Sequence, residues 1–186
     1  MKIILTTLLL FTLFFLGCAD TPISPVKNDD HSYQFIKLPK KSGMYVETIF
    51  SKTKTINGDS GGTIRIIESY VAEDGHTVKI NAKLKVKGGS FNGEVTITLT
   101  VDDGFAAVSF SPEMDFDKPV ELDLKFEGID LEGLNLTTGD YDFVFTDDQG
   151  NTEVVGYNAL HTNESQGKIW VIRAKLHHFS RYGFVN

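Results

Sequence analysis

Val78, Ile80, Ala82, Leu84 and Val86 alternate with Lys79, Asn81, Lys83, Lys85 and Lys87, and after Gly88-Gly89 the alternation resumes as Val95, Ile97, Leu99 and Val101 among Thr96, Thr98 and Thr100. A period of two puts one set on each face of a strand, so both segments read as half-buried antiparallel strands with one apolar and one wet face. Val120, Leu122, Leu124 and Phe126 repeat the pattern. Shorter runs at 33–38, 44–50, 63–71 and 105–111 also read as strands, with a polar turn region at 51–62 that ends in Asn57-Gly58-Asp59-Ser60-Gly61-Gly62. Residues 128–136 read as a loop with a partial strand. The strand 141–146 should pair with 153–157 through the turn 147–151, and 159–162 with 168–176 through the polar turn 163–167. About ten short strands with no helical crossover between them predict an all-β, antiparallel β-sandwich.

The last strand carries the pattern into the C-terminus. Counted with period two, Trp170, Ile172, Ala174 and Leu176 share a face, and an unbroken strand would add His178, Ser180, Tyr182 and Phe184 to it. On this count Trp170, the sole tryptophan, belongs to the core rather than to a sugar-stacking surface, and His178 and Ser180 point inward.

Composition narrows the class further. With 186 residues, 41% hydrophobic, 23% charged and a net charge of -7, the chain suits one soluble globular domain with a short leader. Its acidity argues against a nucleic-acid surface. Seventeen glycines against five prolines, without a long helical run, fit strands joined by turns.

The leader comes first in the chain. Lys2 precedes an apolar run, Ile3 to Leu16, that holds only three threonines and is shorter than the roughly 20 residues of a membrane-spanning helix. The run ends at Gly17-Cys18, and Cys18 is the only cysteine. This segment resembles a bacterial lipoprotein signal with its lipobox, although Phe15 and Leu16 replace the family's usual Leu and small residue. The resemblance implies that Cys18 receives a diacylglycerol and that residues 1–17 are removed, which takes away Lys2 and leaves a net charge of -8. Two or more acyl chains give stable anchoring at about 0.8 kcal/mol per buried methylene, so the partner implied is a membrane held through one cysteine. Residues 18–32 then form the lipidated cysteine and a flexible linker rich in Pro, Ser and Asp, and residues 33–186 the sandwich domain. Ala19 after the cysteine resembles an outer-membrane address. With one cysteine, an exported body has no internal disulfide to rely on.

A second resemblance rests on Gly61-Gly62, the strands flanking Phe91, the segment Ser111-Pro112-Glu113-x-x-Phe116-x-Lys118-Pro119-Val120 and the terminal His178-Phe179-Ser180-x-Tyr182. Together these are similar to the ZU-five domain, a β-sandwich, over about 57–127 and 170–185. The segment Val86 to Phe91 departs from that family's pattern. The triplet resembles the self-cleavage site of certain ZU-five proteins, which implies a break between Phe179 and Ser180 in which the Ser180 hydroxyl attacks the Phe179 carbonyl while His178 takes its proton. The ester so formed is hydrolysed by water, and no external substrate or cofactor enters.

The remaining polar groups have plainer explanations. His177 and His178 are neighbours on a strand and face opposite ways, so one metal ion does not take both. Asp102-Asp103, Asp115/Asp117 and Asp147-Asp148 lack the spacing of a twelve-residue calcium loop and suit turns. The lysine row of 79–87 suits a solvated face. No metal or cofactor is expected. The sequence therefore predicts a lipid-anchored, exported, non-enzymatic envelope module, structural or interacting, whose partner is an envelope protein or a glycan, with self-processing and surface binding as alternatives.

Overall fold

The computed structural model describes residues 33–43, 50–134, 140–147 and 149–186. The signal segment 1–17, Cys18, the linker to residue 32 and nearly all of the expected strand 44–50 lie outside the described residues.

Alternation builds the sheets as expected. Strand β3 (Thr77–Val86) buries Val78, Ile80, Ala82, Leu84 and Val86 and exposes the polar set. Strand β6 (Asp115–Glu127) buries Val120, Leu122, Leu124 and Phe126 in the same way. These two pair antiparallel, Ala82 opposite Leu124, and are flanked by β2 (Gly62–Val71) on one side and β10 (Lys168–His178) on the other. With β9 (Ala159–Asn163) they make a five-stranded sheet in the order β2-β3-β6-β10-β9. The second sheet has six strands in the order β1-β4-β5-β11-β7-β8: β1 (Ser51–Asn57), β4 (Glu94–Val101), β5 (Ala107–Ser111), β11 (Arg181–Val185), β7 (Asp142–Thr146) and β8 (Thr152–Val154). All neighbours run antiparallel. The two sheets enclose one core in which Phe126, Phe143, Phe184, Leu99, Leu122 and Leu124 are almost fully buried. Each such side chain stabilises the fold by about 1.5–3 kcal/mol relative to exposure. The all-β sandwich is thus the architecture, and no α-helix occurs among the described residues.

The two strongest sequence strands, β3 and β4, fall in opposite sheets, and the chain crosses between sheets again at β5/β6, β6/β7, β8/β9 and β10/β11. The expected pairings of β7 with β8 and of β9 with β10 are present.

Four expectations change. Residues 51–57, read as a polar turn region, form strand β1; only Ile56 is buried, and Thr53 and Thr55 pair their hydroxyls with Thr98 and Thr96 at 2.8 and 2.9 Å. Edge strands with one wet face carry little apolar signal. The 33–38 segment is extended but makes only isolated bridges, Phe35 to Val185 and Lys37 to Phe105.

Trp170 and Ile172 are not in the core. Their neighbours Ile169 and Val171 are buried instead, and Ile172 is 36% exposed. The cause is a β-bulge: Val171 pairs with Leu124 and Ala174 with Leu122, so Ile172 and Arg173 together oppose Asp123 alone. Arg173 takes φ 52, and its N–H donates to Asp123 Oδ1 at 3.0 Å. The extra residue reverses the parity of the strand, which puts Trp170 outward while Ala174 and Leu176 remain inward.

The strand does not run on unbroken through 184. A second register shift follows Leu176, and β10 ends at His178. Phe179 is the buried residue of the triplet, while His178 and Ser180 are half-buried. The chain then enters the other sheet as β11, with Tyr182 and Phe184 in the core.

Candidate functional site

The C-terminal triplet sits where β10 hands over to β11. Phe179 plugs the end of the sandwich, stacked on Phe110 at 4.9 Å between ring centres and edge-on to Phe116 at 4.7 Å. Its N–H donates to the Met114 carbonyl at 2.8 Å. The Tyr182 hydroxyl donates to the His178 carbonyl at 2.6 Å, and burial pushes that phenol well above the ordinary tyrosine range. A tyrosine bonding back to the backbone a few residues upstream is the device by which sandwich proteins brace such a corner. The His178 ring lies edge-on to Phe145 at 4.7 Å, with Nδ1 3.4 Å from the Tyr182 oxygen.

These contacts define what the triplet can do. The Ser180 hydroxyl donates to the Thr146 carbonyl of β7 at 2.9 Å, and its own carbonyl accepts from the Phe110 N–H at 3.2 Å. A serine acting as nucleophile needs its proton directed at a base. Here the hydroxyl proton is directed at a backbone carbonyl, while His178 faces Phe145 and Tyr182. The Ser180 proton is thus engaged by the Thr146 carbonyl and not by His178.

Arg181 secures the same corner from outside. Its guanidinium lies over Phe35 at 4.4 Å and Phe105 at 5.2 Å from the ring centres, and it forms an ion pair with Asp102 at 2.7 Å. Phe35 belongs to the segment that follows the linker, so Arg181 ties the start of the domain to its last strand.

A second arrangement was hidden by the bulge. With Trp170 turned outward, one straight row crosses the outer face of the five-stranded sheet: Ile67, Asn81, Lys125, Trp170 and His161, one from each strand in register. The His161 ring stacks on one side of the indole at 4.9 Å and 25°. Toward β6 and β3 lies a shallow cleft of about 280 Å³ lined by Trp170, Lys125, Asp123, Lys83, Asn81 and Arg65. A neighbouring cleft of about 340 Å³ shares Asn81 and Lys125 and reaches Ile67, which is 63% exposed. The two make a trough across the sheet. Asn81 accepts from Arg65 Nε at 3.3 Å, and Lys83 lies 3.7 Å from Asp123.

Lys87, at the end of the lysine row, pairs with Glu121 on the next strand at 2.6 Å, and Lys125 pairs with Glu127 of its own strand, β6. The adjacent ammonium groups hold both carboxyls below the usual carboxylate range. His177 is exposed and His178 half-buried, and among the described residues no group of three or more His, Cys, Asp or Glu is placed to hold a metal ion.

No family model matches the chain, and neither a curated protein nor a solved structure matches it.

Proposed function

We propose that this protein is a lipid-anchored interaction module of the bacterial cell envelope, held to the extracytoplasmic side of a membrane, the outer one, by acyl chains on Cys18. The sequence support for the anchor is the placement of the sole cysteine directly after the apolar run 3–16. The interaction role is carried by one structural observation, the outward row of Ile67, Asn81, Lys125, Trp170 and His161 across an otherwise well-buried sandwich. A large aromatic held at the surface by a bulge presents contact area to a partner at little conformational cost. The ZU-five likeness belongs to the same proposal and rests on the segments at 61–62, 111–120 and 178–182.

The anchor is tested by growing an expressing bacterium with alkyne-tagged palmitate and comparing the chain with its Cys18→Ser variant. The expected result is label and membrane recovery for the wild type and neither for the variant. Label that persists in Cys18→Ser, or a wild type without label, overturns the reading.

A further inference from the structure

We propose that the cleft beside Trp170 binds a carboxylate-bearing saccharide, at least two sugar units long, such as an oligouronide. This rests on the reading of the domain as an envelope interaction module and names the ligand class of that surface.

Three observations converge on this chemistry. The first is the indole itself. His161 of β9 stacks on one face, and the cleft that Trp170 lines lies toward β6 and β3, the side of the strand away from β9. The open face of an indole carries the negative side of its quadrupole and attracts the weakly positive C–H bonds on the flat side of a pyranose ring. Among the described residues none accepts the indole N–H, so that donor is not engaged within the chain.

The second is the ring of hydrogen-bonding groups. Asn81, Asp123, Lys83 and Lys125 rise from the floor of the cleft in the two-residue period of β3 and β6. Their amide, carboxylate and ammonium groups are suited to paired sugar hydroxyls, while the strand backbones keep them at fixed spacing. A few placed polar groups beside an apolar wall is the usual make-up of a ligand site.

The third is charge. Arg65, Lys83 and Lys125 face this cleft with Asp123 as the one carboxylate, in a chain of net charge -7. Lys83 has Asp123 and Lys125 has Glu127 as partners, but the guanidinium of Arg65 meets no carboxylate among the described residues and reaches only the Asn81 amide. A guanidinium with free donors is the side chain best shaped to take a carboxylate through two parallel hydrogen bonds. The Arg65 guanidinium lies against Asn81 of β3, two strand spacings or about 10 Å at the backbone from Trp170 on β10. That span suits two sugar units rather than one, and the neighbouring cleft, which Lys79, Glu68 and Glu127 also line, continues toward Ile67.

Trp170 is the only tryptophan, so its fluorescence reports this site alone. The full chain in a sugar-free zwitterionic detergent is titrated with tetrasaccharides of galacturonate, of alginate and of hyaluronan, with a neutral tetragalactoside, and with a short polyglutamate as a sugar-free polyanion. Calorimetry runs in parallel. The expected result is a saturable fluorescence shift with at least one of the acidic tetrasaccharides, at least tenfold weaker binding of the neutral one, and no saturable binding of polyglutamate. Arg65→Gln should weaken the acidic saccharide at least tenfold. Trp170→Ala, checked for folding by circular dichroism, should abolish the calorimetric signal, and Trp170→Phe should keep part of it. The proposal is overturned if none of the three acidic tetrasaccharides binds at millimolar concentration, if polyglutamate binds as tightly, or if folded Trp170→Ala binds as well as the wild type. The measurement does not depend on Cys18, so its failure is distinct from failure of the lipid anchor.

Discussion

The hydroxyl of Tyr182 reaches back 2.6 Å to the carbonyl of His178 and so closes the turn that carries the chain from the five-stranded to the six-stranded sheet. Between the two residues lie Phe179, which fills the end of the core, and Arg181, which pins the N-terminal segment. Tyr182→Phe keeps the ring and removes only the hydroxyl, leaving the half-buried His178 carbonyl without this donor. A loss of about 1–2 kcal/mol is expected, as for other buried hydrogen bonds with one partner deleted. Urea unfolding at neutral pH measures it.

The same hydroxyl makes stability depend on alkaline pH. Burial raises the Tyr182 pKa, and burial followed by the Asp74 charge raises that of Tyr70 to about 12, each from an ordinary value near 10. The folded state thus holds these protons more tightly than the unfolded chain. Their contribution is complete below pH 10 and is lost as pH rises through the folded values. Unfolding midpoints should fall from pH 9 to pH 11.5, and the fall should be shallower in Tyr182→Phe. An equal slope in both proteins would remove Tyr182 as its source.

Self-cleavage makes a different prediction at the same corner. Since the Ser180 proton is given to the Thr146 carbonyl, the wild type and Ser180→Ala should both survive long incubation with the peptide bond after Phe179 intact. Denaturing mass spectrometry decides this. Loss of residues 180–186 from the wild type alone would make the triplet a reaction centre. Ser180→Ala should cost about 1 kcal/mol of stability through the lost hydrogen bond.

The sheets were legible where alternation is strict and the opposite face is wet, as in Val78 to Val86 and Val120 to Phe126. Strand β1 was not, because an edge strand of Ser51, Thr53 and Thr55 earns its place through hydroxyl pairs with β4 rather than through burial. Trp170 was misplaced for another reason. Ile169, Trp170, Val171 and Ile172 are all apolar, so the run itself does not say which parity is inward. Counting back from Ala174 and Leu176 gives the wrong answer because a bulge intervenes, and the bulge residue in the left-handed region is Arg173 rather than a glycine that would have marked it. The outer-face row is therefore invisible to periodicity. A lone tryptophan within an unbroken apolar run is the one signal that could have raised it.

That bulge can be tested directly. Left-handed backbone costs an ordinary residue about 1–2 kcal/mol and a β-branched one more. Arg173→Gly should hold stability or raise it slightly, strain relief offsetting the entropy of the more flexible unfolded chain. Arg173→Val should lose about 1–2 kcal/mol beyond that and blue- or red-shift the Trp170 emission as the register loosens. If valine is tolerated with unchanged emission, the bulge is not what holds Trp170 outward.

The last prediction concerns how the start of the domain is held. Residues 34–38 lie beside the end of β11: Ile36 N–H donates to Phe184 O at 3.0 Å, Ala106 N–H to Ile36 O at 2.7 Å, and Gln34 and Asn186 exchange both backbone bonds. This docking needs Gly183. A methyl group there would stand 2.6 Å from the Ala107 Cβ, 2.8 Å from the Phe35 ring and 3.0 Å from the Ala106 carbonyl, all closer than van der Waals contact. Two of these three neighbours are backbone or backbone-fixed, so the Phe35 ring is the group that must yield. Gly183→Ala should therefore cost about 1–3 kcal/mol, as overpacking does, and should free the 33–38 segment from Arg181 and β11 before the sandwich itself opens. Limited proteolysis should cut the variant at Lys37, Lys40 or Lys41 under conditions where the wild type resists at Lys37. Cleavage at the same rate in both would show that the docking does not need Gly183, and Arg181→Gln then tests the guanidinium contacts to Phe35 as the holding group.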